Sequence, residues 1–230
     1  MKSSDNVTND GGPNRGENAC DRLVASLSAD LCAVPRHAAA RRILTGLALG
    51  MAMTIALLML GLGIRRDLGD AMQSSHFWMK TLYAAALGAL ALIATLRLAR
   101  PDCGPQRKLW LIALPLGLLG AFAVLEMTRT PASQWLAMWL GHSWKVCAAM
   151  VLALALPILT GLLWALKRLA PTRLRLAGGT AGLAAGAWAA CLYCLHCPET
   201  SALFVLTWYS LGIALSAALG ALLGPRVLRW

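Results

Sequence analysis

Residues 146–166 read VCAAMVLALALPILTGLLWAL, a run in which no side chain is charged. An α-helix rises about 1.5 Å per residue, so about 20 such residues cross the roughly 30 Å hydrocarbon core of a bilayer. The run is too long for a buried strand and lacks the polar face of a soluble helix. It therefore predicts a membrane-spanning α-helix.

The whole chain shares this apolar character. Of its 230 residues, 58% are hydrophobic and 13% are charged, against about 25% charged residues in soluble domains. This composition excludes an ordinary soluble enzyme and a disordered regulator. The net charge of +11 is scattered between the apolar runs, which argues against the clustered basic face of a direct nucleic-acid binder.

Five further runs have a similar length and hydropathy. We predict six membrane spans near Ile43–Ile64, Phe77–Leu96, Leu109–Met127, Val146–Leu166, Leu176–Leu195 and Ala202–Leu223. Lys80 lies near the start of the second run, and we expect its long side chain to extend toward the lipid headgroups. The predicted fold class is all-α, a polytopic membrane protein in a lipid bilayer.

Orientation follows from the distribution of positive charge. Most of the 21 Lys and Arg residues fall in the N-terminal segment, the second and fourth connections between spans, and the C-terminus. The segments at the opposite side, including the outer start of the second span, hold only Arg65, Arg66, Lys80, Arg129 and Lys145. Because cytoplasmic loops carry the excess of Lys and Arg, we expect both termini to be cytoplasmic.

The N-terminal tail, residues 1–42, precedes the predicted membrane domain at 43–230. Residues 1–19 are polar and lack a hydrophobic period, so we expect them to be disordered. Leu23, Leu27 and Leu31 recur every fourth residue before Pro35, which predicts a short amphipathic helix within residues 20–35. Its apolar face requires a partner surface. That surface is a groove on another protein, the bilayer, or the chain's own loops.

Small residues recur at four-residue spacing in three of the spans. They are Gly46 and Gly50 in the first, Gly178, Gly182 and Gly186 in the fifth, and Gly212, Ser216, Gly220 and Gly224 in the sixth. Such faces allow the close approach of helices in lipid. They favour packing within the chain, with a homodimer as the alternative.

Cysteines cluster at the predicted outer ends of the fourth and fifth spans. Cys191, Cys194 and Cys197 occur in CLYCLHCPE at residues 191–199, and Cys147 opens the fourth span. A short connection near Pro171 predicts an antiparallel hairpin of these two spans. Because Cys147 and Cys197 are almost equally far from that connection, we expect their thiols at nearly the same level.

Several functions are compatible with these cysteines. Cys147 and Cys197 would form a disulfide on oxidation, or bind a soft metal with Cys194 or His196. Alternatively, the chain is a membrane thiol–disulfide oxidoreductase, a metal-handling protein, or a structural subunit. A c-type haem site is excluded because Leu195 separates Cys194 from His196. Cys191 and Cys194 are best explained as small core residues. No catalytic constellation or cofactor motif is present in the sequence, so we expect neither an enzyme nor a cofactor.

Three phrases of this sequence resemble those of a known family. They are HCPETSALFVLTWYSLG at residues 196–212, GPRVLRW at 224–230 and LVASLSADLCAVP at 23–35. The chain resembles, over about residues 20–230, the NrsF-type anti-sigma factors. These are six-span proteins of the bacterial inner membrane and negative regulators of an extracytoplasmic-function sigma factor.

The resemblance implies a function and its residues. The cytoplasmic tail would bind the sigma factor through residues of the amphipathic helix and its end, namely Leu23, Leu27, Asp30, Leu31, Val34 and Pro35. Cys197 matches the cysteine of the family's His-Cys-Pro phrase, and Cys147 matches one that opens the fourth span. In the family, such cysteines are implicated in the sensing of oxidants or heavy metals.

Overall fold

The computed structural model describes residues 15–29, 37–99, 107–169 and 171–229. Its helices, in chain order, are α1 (Arg15–Ala29), α2 (Ala38–Leu57), α3 (Leu68–Gln73), α4 (Ser75–Leu98), α5 (Ala113–Thr128), α6 (Trp135–Leu140), α7 (Trp144–Lys167), α8 (Leu174–Tyr193), α9 (Ala202–Phe204) and α10 (Ser210–Val227). A π-helical turn, Leu58–Leu62, extends α2, and a second, Val205–Tyr209, joins α9 to α10. The described residues contain no strand, so the all-α prediction is confirmed.

Six helices in the described part of the chain are long and apolar enough to cross a membrane. They are Ala38–Leu62, Ser75–Leu98, Trp110–Thr128, Ala132–Lys167, Leu174–Tyr193 and Ala202–Val227. Each overlaps one predicted span, which confirms a six-span membrane protein. The fourth is longer than predicted because the short helix α6 precedes α7 with only a brief turn between them.

Helix α8 forms the centre of the bundle and packs against α4, α7 and α10. Its glycines allow this. A Cβ at Gly178 would collide with the carbonyl of Gly220 on α10, and one at Gly182 would collide with the carbonyl of Ser216. Likewise, a Cβ at Gly46 on α2 would collide with the carbonyl of Gly161 on α7. The small-residue faces are therefore used within the chain, as favoured above. A homodimer through them would have to displace a neighbouring helix.

The chain divides into two compact units between Ala38 and Ala39. In the first unit, α1 (Arg15–Ala29) begins five residues before residue 20, so residues 15–19, which were expected to be disordered, are helical. Leu23, Val24 and Leu27 are all exposed on this helix. The amphipathic helix of the tail is thus present.

Candidate functional site

The candidate site lies where α7 begins and α8 ends, which we call the cysteine end of the bundle. Cys147 is in the first turn of α7, where its N–H donates to Ser143 O at 2.9 Å. Cys197 lies just beyond α8, and its N–H donates to Tyr193 O at 3.0 Å. Pro198 follows Cys197 and prevents continuation of the helix.

The two thiols meet at this end of the bundle. The Cys147 and Cys197 thiols interact directly with each other, and both residues are fully buried. The expectation that they lie at the same level is confirmed. Both are free thiols, as are Cys191 and Cys194. The arrangement is a buried dithiol.

Glu199 connects the segment that carries Cys197 to the residues that precede Cys147. Its Oε1 accepts hydrogen bonds from His142 N at 2.6 Å, Ser143 N at 3.2 Å and Ser143 Oγ at 3.3 Å. Ser143 Oγ also lies 3.8 Å from Cys197 Sγ. The carboxylate therefore joins the turn after Cys197 to the residues that open α7, where it also meets the positive end of the helix dipole.

Lys80 approaches the same turn from α4. Its Nζ donates to the carbonyl oxygens of Cys197 at 2.8 Å and Glu199 at 2.9 Å, and the residue is 1% exposed. The prediction that Lys80 extends to the lipid headgroups is therefore wrong. The carbonyl oxygens of the turn after α8 have no hydrogen-bond donor within a helix. They accept hydrogen bonds from the Lys80 ammonium, which would otherwise need water.

Tyr209 completes the surroundings of Cys197. It is fully buried at the end of the second π-helical turn. Its hydroxyl faces the Cys197 thiol, yet no atom of the described chain satisfies it with a well-formed hydrogen bond. A buried hydroxyl without such a bond is uncommon and calls for a functional explanation.

These contacts favour the thiolate of Cys197. The Cys147 thiol, the facing Tyr209 hydroxyl, the Glu199 backbone and the charge of Lys80 together hold the pKa of Cys197 below its ordinary value, although burial opposes them. Thiolate is the reactive form of cysteine toward oxidants and disulfides. The surroundings of Cys197 therefore favour its ionised form over that of an ordinary cysteine.

The other predicted members of the site lie outside this contact. Cys194 is fully buried, close to Lys80 and Thr81 of α4. His196 places Nδ1 3.0 Å from the carbonyl oxygen of Gly63. Within the described residues, no three His, Cys, Asp or Glu side chains are grouped to hold a metal ion.

The sequence analysis missed Lys80, Glu199 and Tyr209 as parts of the site. A signal existed for Lys80, because an ionisable residue inside a membrane span is by default a candidate for function. No comparable signal marks Tyr209, whose position depends on the π-helical turn.

The predicted sigma-binding residues divide into two sets. Leu23 and Leu27 lie on α1 and are exposed. Asp30, Leu31, Val34 and Pro35 lie outside the described residues, as do residues 1–14 of the segment expected to be disordered.

Comparisons with known proteins agree with the resemblance noted above. A family model described as negative regulator of sigma F (NrsF) matches residues 27–230. A probable anti-sigma-F factor of Azospira oryzae is 40% identical over 210 residues, which cover 90% of this chain and 98% of that protein. The anti-sigma-F factor of Caulobacter vibrioides is 37% identical over 212 residues, covering 91% and 99%. No solved structure matches the chain significantly. The chain belongs to the NrsF family of negative regulators of sigma F.

Proposed function

We propose that this chain is a membrane anti-sigma factor. The observation that carries the proposal is the family match over residues 27–230, with relatives named as anti-sigma-F factors aligned over nearly their full length. The chain acts by binding and is not an enzyme. It resides in the bacterial inner membrane with both termini in the cytoplasm, the orientation that the positive charges favour.

The proposed sigma-binding segment is residues 20–35 of the tail, and its partner is an extracytoplasmic-function sigma factor. Leu23 and Leu27 are 58% and 65% exposed on α1, so they are available to a second protein. Apolar residues at this spacing are the usual anchors of a helix that binds in a groove. Domain 43–230 then holds the captured sigma factor at the membrane.

The proposed signal is oxidation of the Cys147–Cys197 dithiol. A disulfide requires the sulfur atoms to approach to about 2.05 Å, and both sulfurs sit on elements that Glu199 and Lys80 tie together. Disulfide formation therefore shifts the turn after α8 against α4 and α7. Because α7 packs closely on α2 at Gly46, the shift reaches α2, the helix that follows the tail in the sequence.

The energy required of such a switch is moderate. Moving a two-state equilibrium from 1:99 to 99:1 takes about 5.5 kcal/mol of differential stabilisation. A disulfide held away from its preferred geometry stores several kcal/mol of strain, so a disulfide that fits one packing better than the other supplies a difference of this size. The oxidised protein needs only to favour the helix packing that releases the sigma factor more strongly than the reduced protein does.

Co-purification tests the anti-sigma function. Full-length chain, a deletion of residues 20–35 and a control deletion of residues 2–14 are purified in detergent from the native host under reducing conditions. We expect a sigma factor with the full-length chain and the control, and none with the 20–35 deletion. Absence of a sigma factor from all three samples would contradict the proposal.

The buried dithiol also favours a second candidate, a membrane thiol–disulfide oxidoreductase or a metal-handling protein. The two functions predict different results for the double variant Cys147→Ser, Cys197→Ser. A sensor variant still binds the sigma factor but no longer responds to oxidant, whereas an enzyme variant loses turnover with a dithiol substrate. Metal capture predicts retention of a soft cation, such as Cd²⁺, that the double variant does not retain.

A further inference from the structure

We propose that Cys197 is the sulfur that attacks the oxidant, that Cys147 is the resolving thiol, and that Lys80 and Tyr209 are the positioning residues that make the pair unequal. This inference rests on the proposed oxidant sensor and assigns the roles within it. Four observations at the cysteine end of the bundle support it.

The first observation is the environment of the Lys80 ammonium. It is almost fully buried and its hydrogen bonds go to two backbone carbonyls, of Cys197 and Glu199. No carboxylate in the described part of the chain lies within ion-pair distance of it. A buried cation bonded only to neutral groups leaves much of its charge uncompensated. A thiolate on Cys197 supplies the missing negative charge within the same turn.

The second observation is the hydroxyl of Tyr209. It is fully buried, faces Cys197, and lacks a well-formed hydrogen bond among the described residues. A thiol is a weak acceptor, whereas a thiolate is a strong one. The Tyr209 hydroxyl is thus placed to donate to Cys197 once that sulfur is ionised, which explains an otherwise unsatisfied buried group.

The third observation concerns Cys147, which has no such support. The titratable groups nearest to it are Cys197, Cys194 and Glu199, and all of these become negative on ionisation. A helix N-terminus normally favours a thiolate, and Cys147 is in the first turn of α7. Here, however, the Glu199 carboxylate already accepts the N–H groups of His142 and Ser143, so it offsets the positive end of the helix dipole.

The fourth observation is the balance of charge around Cys197. The titratable and charged groups that face it are Lys80 from α4, Arg65 from the segment after α2, Cys147 from α7, Tyr193 and Cys194 from the end of α8, Glu199 from its own turn, and Tyr209 from the turn before α10. Lys80 and Arg65 are the two cations in this set. Only Lys80 is also hydrogen-bonded to the Cys197 turn through its side chain.

The chemistry with a hydroperoxide is balanced as follows. The Cys197 thiolate attacks the distal oxygen of hydrogen peroxide; an S–O bond forms, the O–O bond breaks, and hydroxide leaves. Cys147 sulfur then attacks the sulfenic sulfur, so that an S–S bond forms and the S–O bond breaks. The proton from Cys147 leaves with the second hydroxide as water. In sum, two thiols and one peroxide give one disulfide and two molecules of water.

Alkylation of single thiols tests the assignment. The Cys197 thiol is labelled with iodoacetamide in a Cys147→Ser chain, and the Cys147 thiol in a Cys197→Ser chain, with quantification of the respective peptides by mass spectrometry. Burial changes the labelling rate of each thiol by the same factor at every pH. The pH at which labelling reaches half of its maximal rate therefore reports the pKa of the thiol. We expect Cys197 to react at least about tenfold faster than Cys147 at pH 7. Faster labelling of Cys147 would overturn the proposal.

The roles of Lys80 and Tyr209 are tested in the Cys147→Ser chain. Lys80→Met should raise the pH midpoint of Cys197 labelling by at least about one unit, which lowers the rate at pH 7 about tenfold. Lys80→Arg keeps the charge and should restore most of the rate. Tyr209→Phe should also raise the midpoint, so that labelling at pH 7 is several-fold slower. An unchanged midpoint in folded Lys80→Met or Tyr209→Phe protein would refute the positioning roles. Because labelling needs no sigma factor, these results are independent of whether the chain binds one.

Discussion

Lys80 Nζ and the carbonyl oxygen of Cys197 are joined by a hydrogen bond of 2.8 Å. The two residues are 117 positions apart in sequence, and the bond connects α4 to the turn after α8. The same turn carries the thiol that meets Cys147 at the start of α7. Formation of a disulfide between the two sulfurs would therefore act on α4, α7 and α8 together.

The Glu199 carboxylate should contribute substantially to the stability of the cysteine end. In Glu199→Ala the N–H groups of His142 and Ser143 lose their acceptor, which costs about 1–3 kcal/mol. Thermal unfolding in detergent measures this loss. Asp67→Ala is the matched control, because the Asp67 side chain is 59% exposed where it pairs with Arg65, and an ion pair with a solvent-exposed partner contributes about 0–1 kcal/mol. Equal melting temperatures for the two variants would contradict this role of Glu199.

The α8–α10 contact should not tolerate a side chain at Gly182. In Gly182→Ala, the new Cβ collides with the backbone carbonyl of Ser216, and separation of the helices should cost about 1–3 kcal/mol. Gly117→Ala on α5 is the control because nothing lies within 4 Å of a Cβ there, and its stability should stay equal or rise slightly. Unfolding in a sodium dodecyl sulfate titration compares the two. Similar destabilisation of both variants would contradict the close α8–α10 approach.

Stability should depend on pH through Cys197. Its folded pKa is held below the ordinary value, so the unfolded chain holds more protons than the folded chain between the folded and the unfolded pKa. The stabilisation by the thiolate is therefore fully present above the unfolded pKa and is lost as the pH falls through the lower, folded pKa. The difference in melting temperature between the reduced chain and Cys197→Ser should grow from pH 6 to pH 9. A difference that is constant or shrinks with pH would disagree with a thiolate at Cys197.

The exposed leucines of α1 should control sigma binding without affecting the membrane domain. Replacing both Leu23 and Leu27 by Asp removes two apolar anchors from an exposed surface and should weaken sigma binding at least about tenfold. Ala25→Asp is the control, because Ala25 lies on the other side of the same helix. Binding to purified sigma factor is measured by surface plasmon resonance. An equal loss of binding in the control would mean that added charge, and not the leucine face, is responsible.

Much of this architecture could be predicted from particular residues. The uncharged run at residues 146–166 and five similar apolar runs predicted the six spans, because the thickness of the bilayer fixes the length of a membrane-spanning helix. The nearly equal spacing of Cys147 and Cys197 from Pro171 placed the thiols at one level, because helical rise is constant. The recurrent glycines of α8 indicated close helix contacts in the same way.

The surroundings of the thiols could not be predicted in this way. A lysine near the start of an apolar run, such as Lys80, can contact the headgroups or be buried. Its acceptors are carbonyls of the turn at Cys197 and Glu199, which comes near Lys80 only in the folded chain. The partners of Glu199, His142 and Ser143, lie just before α7 and far away in sequence. Tyr209 is positioned by a π-helical turn. These contacts depend on tertiary packing, which local periodicity does not encode.

The most direct test of the account is release of a bound sigma factor by oxidant. Complexes of the unmodified chain, of Cys147→Ser, Cys197→Ser and of Cys191→Ser are immobilised in detergent, treated with hydrogen peroxide, and assayed for sigma factor in the eluate. The account predicts release from the unmodified chain and from Cys191→Ser, retention by the double variant, and reversal by a dithiol. Equal release from all three complexes, or from none, would contradict it.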